Sequence, residues 1–224
     1  MKAKAEIFAL VLGFLGLFGT VLITALPMWR VSAFIGANLI VMEELWEGLW
    51  MNCYRQADIR MQCKVYDSLL ILPPELQAAR GLMCVSILLV VVALSVSGCG
   101  TQRSKSCADN MRCKNVTLAV GGSLFLLSFL TTLIPVCWVA HTVIRNFHNP
   151  ALHDGQKREL GESLFIGWGT AGLLLLTGII LLLCYSKRRS KEGEDEPDYH
   201  ALATRGLQKV GSERSSSQGV QVYV

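Results

Sequence analysis

Charge is what this sequence has least of. Asp, Glu, Lys and Arg make up 17% of its 224 residues while 52% are hydrophobic, a balance that argues against a soluble domain and for a membrane protein. Histidine is scarce, and His141, His148, His153 and His200 show no nucleophile–base spacing. No glycine-rich phosphate loop or metal cluster is present. These gaps exclude, in turn, nucleophilic hydrolysis, a nucleotide site and a metal centre. The chain is expected not to be an enzyme, to need no cofactor or metal and to bind no nucleic acid.

What is present is apolar and long. Residues 7–27, 81–99, 116–136 and 163–185 contain no charged side chain. At roughly 1.5 Å per residue each run matches a hydrocarbon layer about 30 Å thick, so four membrane crossings are expected. The first follows Lys2 and Lys4 like a secretory signal, but it exceeds a signal core of about 7 to 15 residues and three further spans follow. Arg103, Lys105, Arg112 and Lys114 crowd the connection 100–115, and "KRRSK" follows the last span. By the positive-inside rule both termini, 1–6 and 186–224, are then cytoplasmic.

That topology puts 28–80 and 137–162 outside. Of eight cysteines only Cys53 and Cys63 lie well inside an outer loop, where an oxidising compartment lets them pair. Metal binding is the rival reading, and no His lies nearby to complete a zinc set. Cys99, Cys107, Cys113 and Cys184 sit at cytoplasmic helix ends, as acylation candidates or as small filler. Cys137 reads as buried filler, and Pro135 just before it suggests a bend in a helix running outward past the bilayer. The sequon at Asn115 falls on the cytosolic side, where no glycan is added.

Within the first loop "WRVSAF", "NLIVMEEL", "GLWMNCY" and "RMQCK" read as strands of a small antiparallel sheet. A short helix precedes Pro73, and Pro74 opens the approach to the second span. Trp29, Trp46, Trp50, Trp138 and Trp168 suit an interfacial belt or a loop core. Arg30 and Arg80 read as anchors at the membrane boundary or as members of an internal ion pair. Gly13, Gly16 and Gly19, and Gly167, Gly169 and Gly172, suggest close helix approach.

Trp29, Gly48-Leu49-Trp50, Cys53, Cys63 and Arg80 match the W-GLW-C-C signature of the claudin family, which this chain resembles over nearly its whole length. The resemblance implies a left-handed four-helix membrane bundle with a five-stranded extracellular sheet, four strands from the first loop and one from the second. It implies polymerisation into tight-junction strands that seal or selectively conduct between cells, with other claudin-like protomers as partners in one membrane and across the gap. An accessory subunit modulating an ion channel, from the same tetraspan superfamily, is the alternative.

Carried over position by position, the resemblance makes Lys64 the charge that tunes ion preference, with Arg55 and Arg60 as weaker candidates, and suggests a cation barrier or weak anion preference. The competing reading is a solvated Lys64 paired with Glu47 or Asp67. Leu69 aligns with the apolar knob that enters a neighbour's pocket, lined here by Phe147 and Leu160. Phe147, His148, Asn149, Pro150 and Glu159 are the expected contacts across the gap, with His148 departing from the usual aromatic. The turn "NPALH" also deviates from the sequence that some relatives offer a bacterial enterotoxin. From Lys187 the tail turns polar and is expected to be disordered, its basic run holding membrane lipid weakly. Its last residues, Val222, Tyr223 and Val224, form the pattern that a PDZ scaffold accepts by strand addition.

Overall fold

A computed structural model describes residues 2–33, 44–55, 60–68, 72–101, 111–150, 152 and 157–195. Four long helices carry the chain: α1 (Lys2–Ala25), α2 (Pro74–Gly100), α3 (Met111–Phe147) and α4 (Glu162–Asp195). Each contains a stretch long and apolar enough to cross a membrane. Five short strands, β1 (Arg30–Ser32), β2 (Glu44–Glu47), β3 (Met51–Arg55), β4 (Gln62–Val65) and β5 (Arg158–Leu160), form one sheet in the order β4-β3-β2-β1-β5. All neighbours are antiparallel, and β5 from the second loop pairs Leu160 with Arg30 and Arg158 with Ser32. The architecture is the claudin-like one that the sequence predicts.

The helices outrun the apolar runs that seed them. Pro73 and Pro74 start α2 seven residues before the span expected at 81, with proline at the first helical positions and Glu75 in the first turn. Those positions need no proline N–H, and a carboxylate there complements the helix dipole. Pro135 sits inside α3, which continues outward to Phe147. At the other end α4 runs on to Asp195 through "KRRSKEGED", whose Lys, Arg and Glu favour helix, so the expected disordered tail begins as helix. The chain divides into two units, 1–185 and 186–224, and the second is described only through Asp195. The short helix expected before Pro73 falls on residues 69–71, outside the described residues.

Two apolar clusters fill the first unit. One joins Ile23, Trp29, Leu49, Leu72, Leu76, Met83, Val136, Val139, Val143 and Leu164 beneath the sheet. The other joins Ala9, Val90, Leu94, Leu118, Phe125, Leu174 and Leu181 deeper in the bundle. The spans also bury hydroxyls, which the apolar reading passed over. Thr20, Ser97, Thr170 and Thr177 each donate to a carbonyl of their own helix at 2.6–2.8 Å. Ser86 and Thr132 meet at 2.6 Å between α2 and α3. Hydrogen bonding removes most of the cost of placing them there.

The glycines divide by what lies opposite them. A Cβ on Gly13 would meet Phe125, on Gly16 Leu174, on Gly19 Thr170 and on Gly167 Val136, whereas Gly169 and Gly172 have nothing within 4 Å. Close approach therefore explains four of the six glycines singled out.

Candidate interaction site

The loop signature is a clasp. The indole of fully buried Trp29 donates through Nε1 to the Ile23 carbonyl at 2.8 Å, satisfying one of the acceptors that the last turn of α1 leaves open. The backbone of the same segment holds the start of α4: Gly161 N–H donates to the Trp29 carbonyl at 3.2 Å and Ser163 N–H to that of Met28 at 3.0 Å. Gly48 passes against Pro27, where a Cβ would strike the Pro27 Cα. Leu49 is fully buried in the upper cluster. The Arg80 guanidinium lies 4.6 Å from the Trp50 ring centre and donates Nε–H to the Leu49 carbonyl at 2.9 Å. The signature residues thus lock the β2–β3 turn onto the end of α1 and the start of α2.

One ion pair ties the sheet to a helix and another joins two of its strands. Arg30 bonds Glu75 on α2, with side chains only 7% and 12% exposed, so of its two sequence readings the internal ion pair is the one realised. Arg80 lies against an aromatic face rather than reaching for headgroups. Arg158 on β5 binds Glu47 on β2 at 3.0 Å. Tyr66 donates to the Gly48 carbonyl at 3.1 Å and bonds Asn52. Its hydroxyl is pushed up to about 12, chiefly by burial and then by Glu47, with Arg80 and Arg30 opposing.

Cys53 and Cys63 are joined as facing residues of β3 and β4. Lys64, next along the edge strand β4, is exposed and binds Asp67 at 2.6 Å. Arg55 pairs with Glu44 at 2.6 Å and lies 5.5 Å from the Trp46 ring centre. Arg60 is exposed and has no ion pair among the described residues. Of the three selectivity candidates, two therefore have carboxylate partners.

Where α3 projects beyond the bundle, Val143, Ile144, Phe147 and His148 face Arg158, Glu159 and Leu160 of β5 and Phe165 of α4 across an open apolar groove of about 360 Å3. Ile144 and Phe165 are about half exposed. The His148 ring stands edge-on to Phe147 at 5.6 Å, and its Nδ1 lies 2.9 Å from the Ile144 carbonyl. Phe147, His148, Glu159 and Leu160, singled out from the sequence, thus share one groove. Asn149 and Pro150 lie at the turn that ends α3, both exposed. Leu69 and the terminal Val222, Tyr223 and Val224 lie outside the described residues, as does Cys107.

Cys99 and Cys184 are free thiols, exposed and half-buried respectively. Cys113 is disulfide-bonded, and a sulfur so engaged is not open to acylation. Asn115 of the sequon is buried. Sequence reasoning missed Glu75, Tyr66, Arg158, Val143, Ile144 and Phe165. Only Glu75 carried a local signal, as the acid after a helix-starting proline pair.

A four-span membrane protein with a disulfide-stapled sheet clasped to its helix ends is the class these features define. The PMP-22/EMP/MP20/Claudin family profile matches residues 4–181. The chain is 50% identical to claudin-17 of Sus scrofa over 194 residues, 86% of each chain. It is 51% identical to claudin-8 of Mus musculus over 179 residues, 80% of this chain and 79% of that one. It is 47% identical to claudin-3 of Homo sapiens over 206 residues, 92% of this chain and 93% of the other. The chain belongs to the claudin family. Membership gives it the role of a multi-pass membrane protein of tight junctions, structural rather than enzymatic in kind.

Proposed function

We propose that this chain polymerises with copies of itself or with related protomers into strands and forms a charge-selective barrier between cells. The observation that carries the reading is the apolar groove under Phe147 and Leu160, open in the single chain and suited to an apolar side chain from a neighbour. Leu69 of an adjacent protomer is the proposed occupant, while Phe147, His148, Asn149, Pro150 and Glu159 are offered to the opposing cell. Replacing Leu69 by Glu places a charge where an apolar knob is required. Leu69→Glu at the cell surface of strand-free fibroblasts should give broken strands in freeze-fracture images; continuous strands would overturn the reading.

Selectivity is assigned to Lys64. An exposed pair such as Lys64–Asp67 is held by about 0–1 kcal/mol, so the ammonium is released readily to repel cations over a Debye length of about 8 Å. A cation barrier or weak anion preference follows. Both termini are placed in the cytoplasm, the basic run after the last span meets membrane lipid, and Val222, Tyr223 and Val224 engage a PDZ scaffold. Cys99 and Cys184 are the remaining acylation candidates. Channel modulation as an accessory subunit is not favoured, given that the similarity is to claudins.

A further inference from the structure

The candidate span in α3, Arg112–Phe147, is 36 residues long. At roughly 1.5 Å per residue it far exceeds the 30 Å or so of hydrocarbon it has to cross. On its projecting part Trp138, His141, Thr142, Arg145 and Asn149 recur at helical spacing and, with Asn146, line an open recess of about 550 Å3. Trp138 is 49% exposed, Arg145 is exposed, and among the described residues no carboxylate pairs with Arg145. Directly below on the same face stand Ile134, Leu130 and Leu127, each about half exposed.

We propose that this recess binds a phospholipid of the leaflet on the sheet's side of the membrane. Arg145 takes the phosphodiester, Trp138 marks the interface, and the acyl chains lie along Ile134, Leu130 and Leu127. The depth agrees. Val136 touches Gly167, five residues inside α4, so the apolar layer closes near Trp138. Arg145 follows seven residues later, roughly 10 Å along the axis. Side chains lean toward the N-terminus of their helix, which for α3 is toward the membrane. That lean brings the guanidinium down into the headgroup layer, roughly 5–8 Å thick on each side. A planar guanidinium binds a phosphate oxygen pair in bidentate fashion, and Trp favours that depth. The apolar face below the cation selects a lipid over a soluble anion. The bound lipid would set the height of the α3 extension, and with it the groove at Phe147.

Purified full-length protein in detergent, melted and weighed by native mass spectrometry with three probes, tests this. Phosphatidylcholine should raise the melting temperature and remain bound. A galactosyl diacylglycerol with the same tails, and inorganic phosphate alone, should do neither. Arg145→Gln should weaken phosphatidylcholine retention about tenfold and Trp138→Ala by less. Equal retention of the galactolipid would reduce the site to acyl packing, and stabilisation by inorganic phosphate alone would make it a free-anion site. Either result overturns the proposal, as does an Arg145→Gln protein that retains phosphatidylcholine unchanged.

Discussion

Replacing Glu75 leaves the Arg30 guanidinium buried without its counter-charge. The two side chains are 7% and 12% exposed, and the Arg30 Nε–H already has no acceptor. Glu47, which faces Arg30 across the β1–β2 ladder, is held by Arg158. Among the described residues no second carboxylate is therefore free to take over. Removing one member of a buried pair costs about 3–5 kcal/mol. Glu75→Gln, which keeps a carbonyl acceptor, should fall at the low end, and Glu75→Leu, which keeps none, at the high end. The double variant Arg30→Met, Glu75→Leu should recover most of the loss, because it removes both charges from a pocket walled in part by Pro73 and Val143. Equilibrium unfolding of the wild type, the two Glu75 variants and the double variant in mixed micelles, followed by tryptophan emission, gives the comparison. A Glu75→Leu cost under about 1 kcal/mol, or a double variant no better than the single one, would refute the reasoning.

Lys64→Asp should shift the dilution potential of an expressing epithelial layer toward cation preference; an unchanged potential would remove Lys64 from the selectivity assignment. Gly161→Ala should abolish surface expression, since a Cβ there would lie 2.6 Å from the Met28 carbonyl carbon and 2.7 Å from that of Trp29, backbone atoms that have no room to shift. Gly169→Ala, with nothing within 4 Å, should be tolerated in the same surface-labelling assay. Tyr66 titrates near 10 when unfolded and about 12 when folded. The unfolded chain therefore holds fewer protons than the native one between those values, and stability falls as pH rises from 10 to 12. Tyr66→Phe should remove that slope in alkaline unfolding curves.

How much of this was legible beforehand depended on the range of the interaction. Four charge-free runs of span length announced four helices, because the bilayer demands it of any chain with that pattern. Cys53 and Cys63 were readable as a pair because they are the cysteines well inside a loop that the positive-inside rule places outside. The second strand was placed over "NLIVMEEL" and is described over Glu44–Glu47, part of it on residues 34–43, outside the described set. In the described part, Trp46 faces Cys53 across the ladder and Glu47 faces Asn52.

The sequence alone determined the membrane class, the number of spans, the stapled loop and the likeness to claudins, since each rests on composition or on spacing along one segment. Only the tertiary structure decided that Arg30 belongs to Glu75, that Trp29 closes the end of α1, that Arg158 reaches Glu47, and which glycines touch a neighbour. Those partners lie far apart in the chain, and their meeting depends on how β5 and the helix ends converge around the upper apolar cluster. Neither local propensity nor hydropathy encodes that convergence.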